Sequence, residues 1–268
     1  MTYHKRKNQS DKRRSFKIID KIVLLILAGC LVGSGSYIIN YLLNLKAEKK
    51  SLDAVQEKVT VPEGNVSEEK DEFDLDIDWE GLKKINSDIV GWIYIPDTSI
   101  NYPVCRTTNN EYYLNHSYDK TPIHYGAIYM DTNTNFDAGA LNTFIYGHNV
   151  WHGTMFRELE NYSSKDFYES HPVFYYYTPE HKYKCSIMSF YMDTFDADTY
   201  RYDYVDQEHF EVYLKRIKQK SKYETQQGID GVERIISLYT CSYENENPLT
   251  TDVITDRYYV HAAVIEVK

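Results

Sequence analysis

One cysteine, one histidine and one arginine in this 268-residue chain stand where short apolar runs begin or stop. The run Ile235-Ile236-Ser237-Leu238-Tyr239-Thr240-Cys241 is apolar and β-branched and ends abruptly on a thiol, with a polar segment at 242–247 behind it. That pattern reads as a buried strand that carries Cys241 to its end, within reach of a substrate. Phe144-Ile145-Tyr146-Gly147-His148-Asn149 is a shorter run closing on Gly-His, and Asp256-Arg257-Tyr258-Tyr259-Val260-His261-Ala262-Ala263-Val264 opens a further strand with an arginine at its head. A thiol is a useful nucleophile only as the thiolate, and an imidazolium or guanidinium beside it lowers its pKa toward neutrality. His148 and Arg257 are suitable partners, so the chemistry on offer is nucleophilic catalysis by Cys241. Residue types alone also allow the opposite. Free cysteine is among the most buried residues, and Cys241 would then be a small core side chain.

Strands must carry these three groups. Apolar runs bounded by turn residues recur at 90–95, 100–105, 126–131, 142–147, 172–178, 183–194, 234–240 and 257–267, which predicts eight strands in a closed barrel or a sandwich. Short helices are predicted at 109–115 and 154–162. A longer one at 207–222, capped by Asp206, lines up Phe210, Tyr213, Leu214 and Ile217 on one face and so covers a barrel edge before the cysteine strand. Trp79, Leu82 and Ile85 take helical spacing where the domain begins. The 27 tyrosines fit the half-buried faces of an all-β domain. There is no internal repeat and no Gly-rich phosphate loop.

Residues 1–21 form a basic tail with eight Lys and Arg against two Asp, and 22–45 carry no charge. As a helix that span is about 36 Å long at ~1.5 Å per residue, enough to cross a ~30 Å hydrocarbon core. A cleaved secretory signal is the competing reading, with small residues at 33–36. The apolar run resumes at Tyr37-Ile38-Ile39, longer than a signal core requires, which favours an uncleaved anchor. The positive excess ahead of the span orients the N-terminus to the cytoplasm and the bulk of the chain outside. Residues 46–72 read as a charged stalk and 73–268 as the extracellular domain. Net charge is −10, with +6 on residues 1–45 and −16 on the rest. So acidic an outer domain argues against nucleic acid or an anionic lipid surface as its partner and is compatible with an amine-bearing one.

The local strings carry a resemblance. Leu238-Tyr239-Thr240-Cys241 matches the L-x-T-C core of the sortase cysteine motif, Tyr146-Gly147-His148-Asn149 its histidine motif, and Arg257-Tyr258-Tyr259-Val260-His261-Ala262 resembles its arginine strand, in the same order along the chain. The likeness runs over 79–268 and is to class B in particular, on Ile85-Asn86-Ser87-Asp88-Ile89-Val90-Gly91-Trp92, Ile100-Asn101-Tyr102-Pro103-Val104, Asn110-Glu111-Tyr112-Tyr113-Leu114 and the helix before the cysteine strand. Ser237 stands where the family usually has threonine, which keeps a hydroxyl. The stretch from Cys241 to Arg257 is longer than usual and bears on substrate preference. The resemblance implies a mainly β fold with helices: an eight-stranded sortase-type β-barrel with an N-terminal helix and a helix ahead of the cysteine strand. It also implies a cell-surface cysteine transpeptidase. Cys241 would attack the threonine carbonyl of a C-terminal sorting signal in a secreted protein and form a thioester. His148, as imidazolium, would protonate the leaving amine and later deprotonate the acceptor, while Arg257 would hold the developing oxyanion. The acceptor would be an amine of a peptidoglycan cross-bridge or a pilin lysine, with no metal or organic cofactor. Asn110 and Leu114 would line the peptide groove, with Thr194 as a further candidate; packing of a short helix on the barrel is the plainer role. His261 would be structural.

Cys30 falls in the apolar span. Cys105 and Cys185 fall in predicted strands and could pair in an oxidising compartment, although buried free thiols are the preferred reading. His148 and His152 are spaced for two metal ligands on a helix, but Gly147 and Gly153 bracket them and no cysteine or carboxylate cluster lies near, so no zinc site is read. On the residues alone two other functions stay open: a membrane-tethered cysteine protease that hydrolyses, and an anchored binding module in which Cys241, His148 and Arg257 are structural.

Overall fold

The computed structural model describes residues 2–60, 75–151, 153–242 and 255–268. The chain divides into two compact units, Met1–Ala47 and Glu48–Lys268. The first belongs to helix α1 (Thr2–Gln56), which from Asp20 onward is long and apolar enough to cross a membrane. Its large apolar side chains, Leu25 and Leu31 among them, are exposed.

The second unit begins inside the segment expected to be a charged stalk. Val55 is fully buried in the main core and Leu52 packs against it, while Ser117 Oγ donates to Ser51 Oγ at 2.5 Å. Ser51, Leu52 and Val55 share one helix face at i, i+1 and i+4, so the charges between them hide an apolar stripe that composition averages away. Strand β1 (Val59–Thr60) then pairs antiparallel with β2 (Asp76–Ile77). The remainder of the expected stalk, 61–72, lies outside the described residues, as do His152 and 243–254 of the cysteine-to-arginine loop.

Helix α2 (Trp79–Ile85) starts where the Asp78 carboxylate accepts from Gly81 N at 2.8 Å, and it buries Leu82. The barrel follows: β3 (Ile89–Tyr94), β4 (Asn101–Cys105), β5 (Tyr129–Met130), β6 (Asn142–Tyr146), then α3 (Lys165–Ser170), β7 (Val173–Tyr177), β8 (Lys182–Thr194), α4 (Gln207–Lys220), β9 (Ile235–Cys241) and β10 (Asp256–Val267). The predicted helices at 109–115 and 154–162 are 3₁₀ turns, Tyr112–Leu114 and Arg157–Ser163. The eight strands close in the order β10-β8-β7-β3-β4-β5-β6-β9. All pairs are antiparallel except β4 with β5 and β6 with β9. Closure leaves no free edge and lets one set of alternating side chains fill the interior. Ile145, Ile236, Leu238, Val260 and Ala262 belong to that interior core.

The opposite parity on β6, β9 and β10 meets α4. Asp206 caps this helix by accepting from His209 N at 2.9 Å, and Phe210, Tyr213, Leu214 and Ile217 pack on Phe144, Ile235, Tyr259 and Ala263 in a second core. Strand alternation therefore sorts each strand into a barrel lining and a helix-covered face. Cys105 and Cys185 are both free and buried, and burial pushes both thiols well above the ordinary cysteine range.

Candidate active site

Three strand ends bring the reactive groups together. In the parallel β6–β9 pair Tyr146 lies opposite Tyr239, so one further two-residue step sets His148 level with Cys241. The step is fastened at successive points: Gly147 N donates to Tyr239 O at 3.4 Å, Thr240 Oγ1 donates to Gly147 O at 2.6 Å, and Asn149 Nδ2 donates to Cys241 O at 2.9 Å. Asn149 is held in turn by Arg157 Nη1 at 3.0 Å, and Arg157 pairs with Glu160 at 2.8 Å. Only glycine fits at 147, because a Cβ there would collide with the side chains of Ile128 and Phe156. On the other flank Arg257 of β10 is in register with Cys241 and with Asp193 of β8. Residues directly opposed in an antiparallel pair share a face, so Cys241 sits between the histidine and the arginine.

Cys241 is half-buried. Its Sγ is 3.4 Å from the Tyr146 hydroxyl, which is also 3.4 Å from His148 Nδ1. His148 Nε2 donates to the Leu114 carbonyl at 2.9 Å, which fixes the ring. Burial holds the imidazole below its ordinary value; the Leu114 bond opposes this, and His124 and Arg257 add to it. Arg257 Nη1 donates to Asp256 O at 2.9 Å, and the guanidinium lies 5.8 Å from the Phe195 ring centroid, within cation–π range. Burial, then the neighbouring Cys241, raises the Tyr146 phenol well above its ordinary value.

The groove candidates are placed less directly. Asn110 Nδ2 donates to Asp131 Oδ2 at 2.8 Å and its Oδ1 accepts from Thr132 N at 2.8 Å, so the amide is engaged by a buried carboxylate. Leu114 meets the site through its backbone oxygen on His148, while its side chain packs on the core. Thr194 ends β8 opposite Asp256, one residue from the level of Arg257, and its carbonyl accepts from Tyr259 Oη at 2.9 Å. His261 is fully buried between Tyr191 and Ser237.

Sequence reasoning passed over Tyr146 and Asp131. The signal for Tyr146 was the period of two: 146 and 148 fall on one side of an extended strand, as 239 and 241 do. Asp131 joins Asn110 to Tyr200, whose hydroxyl donates to the same carboxylate oxygen, and no local pattern announces a contact across 69 residues.

The chain matches the Sortase domain family over residues 93–265. It is 34% identical over 238 residues to sortase B of Listeria monocytogenes, covering 88% of this chain and 94% of that protein. Among solved structures it is similar to a Staphylococcus aureus sortase B–substrate complex, with a TM-score of 0.63 and 34% identity, covering 70% of this chain and 84% of the other. It is likewise similar to a sortase B complexed with triglycine, with a TM-score of 0.62 and 34% identity over 70% of this chain and 85% of that one. A half-buried cysteine flanked by histidine and arginine on an eight-stranded barrel, with these matches across most of its length, makes the chain a member of the sortase family and a class B-like cysteine transpeptidase.

Proposed function

We propose that this transpeptidase is held at the cell surface by α1, with its N-terminus cytoplasmic, and joins secreted proteins to an amine outside the membrane. The thiolate of Cys241 attacks the threonine carbonyl of a C-terminal sorting signal. Arg257 donates to the oxyanion, with a backbone N–H near Cys241 as second donor, in a half-buried setting where such bonds outweigh their value in water. His148 gives its proton to the leaving amine, so the peptide beyond threonine departs and a thioester remains. An amine of a peptidoglycan cross-bridge or a pilin lysine attacks the thioester, loses a proton to His148 and leaves as an amide. Asn110, Leu114 and Thr194 border the peptide.

The observation that carries this reading is the register that sets Arg257 opposite Cys241 while β6 brings His148 to the other flank. Support for the two substrates comes from the related proteins, one solved with substrate and one with triglycine, the latter a small peptide with a free amine. The basic tail and uncharged span of residues 1–45 support the topology. The test is to incubate the full chain in detergent with a library of threonine-containing sorting peptides and a glycine peptide, and read the products by mass. Amide product rising at the expense of acid as the amine is raised is expected. Acid product that persists at saturating amine would make the chain a hydrolase in practice.

A further inference from the structure

His148 and Cys241 are level with each other, yet among the described residues no hydrogen bond joins them directly. The Tyr146 hydroxyl lies between, 3.4 Å from Cys241 Sγ and 3.4 Å from His148 Nδ1. Its surroundings restrict what it can do. A carbonyl only accepts, so the bond to Leu114 keeps a proton on His148 Nε2 and makes Nδ1 the position that gains or loses one. The Tyr146 ring packs between Tyr129 at 5.3 Å and Tyr239 at 5.0 Å and is 5% exposed, which holds the hydroxyl in place. Burial raises its pKa, which favours the protonated phenol, a hydrogen-bond donor.

We infer that Tyr146 is the proton bridge of the site, carrying the thiol proton of Cys241 to His148. In the neutral pair the S–H donates to Tyr146 Oη and the phenol O–H donates to His148 Nδ1. When the S–H bond breaks, its proton passes to Oη and the phenol's own proton passes to Nδ1. The thiolate then accepts from the phenol, and the new Nδ1–H donates to Oη. One proton has moved from sulfur to imidazole, the phenol is regenerated, and no other reactant is consumed. Separations of 3.4 Å are long for such bonds, as is common before substrate closes a site. Besides the pair itself, the groups facing this bridge are Tyr129 on β5, Tyr239 on β9, Arg257 on β10 and His124 in the loop before β5. Arg257 disfavours the imidazolium, so a neutral donor shared by both serves the pair in a way a second cation could not.

The inference rests on Cys241 being the nucleophile of the proposed function, but its test reads the thiol and needs no peptide. Iodoacetamide alkylation of Cys241 in the full-length protein is followed against pH by mass spectrometry of the peptide that holds it. Tyr146→Phe should move the midpoint upward and slow alkylation at neutral pH about 10- to 100-fold, the worth of a hydrogen bond to a charged group. Replacing Tyr146 with 3-fluorotyrosine, which keeps the shape and acidifies the phenol, should move it downward. The second replacement decides the matter alone if the first does not fold. Profiles that coincide with wild type would overturn the bridge, and thioester formation by the same protein would leave the proposed function standing. A Tyr146-dependent profile in a protein that forms no thioester with any peptide supports the bridge and sinks the proposed function.

Discussion

Strands β6, β8, β9 and β10 carry similar side chains in two layers, about four residues apart along β6, β9 and β10, and the layers are bonded differently. In the layer beneath α4, Tyr191 Oη meets His261 Nε2 at 2.8 Å, His261 Nδ1 meets Ser237 Oγ at 2.6 Å, and Ser237 Oγ donates to Asn142 Oδ1 at 2.6 Å. Asn142 Nδ2 then donates to Tyr213 Oη of α4 at 3.1 Å. The bonds run unbroken from Tyr191 to Tyr213, and burial pushes His261 down to about 3, so the ring is neutral. In the layer at the strand ends the same tyrosine, histidine and small nucleophilic side chain recur as Tyr146, His148 and Cys241. Their contacts are 3.4 Å, against 2.6–3.1 Å in the closed layer, and Cys241 is half-buried. A histidine beside a hydroxyl is structure when its bonds are short and closed. On the proposed function it becomes chemistry at the strand ends, where the bonds are longer and Cys241 is only half-buried.

The largest test of that contrast removes Arg257. Arg257→Ala should lower kcat/KM for a sorting peptide roughly 100-fold or more, the scale of a lost oxyanion donor, while the unfolding midpoint barely moves because the side chain is half-exposed. Arg257→Lys should rescue poorly, since an ammonium cannot reproduce the planar fork. Peptide turnover and thermal unfolding measured on the same preparations separate the two effects. Wild-type turnover in Arg257→Ala would erase the distinction between the layers.

The buried layer should answer in stability and not in activity. The folded His261 value of about 3 lies below the ~6.5 of a free histidine, so the unfolded chain binds the extra proton. Its contribution is intact above pH ~6.5 and is lost as pH falls from there toward 3, by up to ~1.4 kcal/mol per pH unit. His261→Gln removes this titration. The variant should be less stable at pH 8 yet show a shallower loss of unfolding free energy between pH 6 and 4, with the alkylation profile of Cys241 unmoved. An unchanged slope would mean that His261 is not the group behind the acid loss.

Much of this was legible beforehand, and the reasons are local. The strand runs, the Asp206 cap and the face of α4 follow from alternation, capping and the helical period, so all eight strands and that helix lie where the sequence puts them to within a few residues. Cys241, His148 and Arg257 could be singled out because each sits where an apolar run begins or stops. What escaped depends on contacts between distant segments. The Leu114 oxygen on His148 is a backbone contact that side-chain type cannot foretell. Asp131 looks like the end of a strand, and the helix end carrying Ser51 and Val55 looks like a stalk because its charges outnumber its apolar stripe.

A smaller effect concerns the groove. Asp131 holds both Asn110 and Tyr200, tying the 3₁₀ turn beside His148 to the segment between β8 and α4. Asp131→Asn keeps the shape but weakens bonds that depend on charge, each worth ~1.5–3 kcal/mol as made and less when only weakened. KM for a sorting peptide should rise about 5- to 10-fold with kcat within twofold. A fall in kcat at constant KM would place Asp131 with the reacting atoms instead of the groove.

The smallest effect probes the fastening between the layers' ends. Asn149 is buried, and its amide holds the Cys241 carbonyl at 2.9 Å while accepting from Arg157 at 3.0 Å. Asn149→Ala loses one hydrogen bond to the strand end, a net ~1 kcal/mol, and should cost turnover about 2- to 5-fold through looser placement of the sulfur. Asn149→Asp separates placement from field. The carboxylate keeps its bond to Arg157 but turns an oxygen toward the Cys241 carbonyl and adds negative charge near the thiol, which disfavours the thiolate. If Asn149 acts only by fastening, the Asp and Ala variants should lose turnover alike and share one alkylation profile. If its neutrality also serves the thiolate, the Asp variant should be the slower of the two and its alkylation midpoint should lie higher. The second outcome is expected, because the strand end leaves the sulfur half-exposed, where a nearby charge is screened only in part.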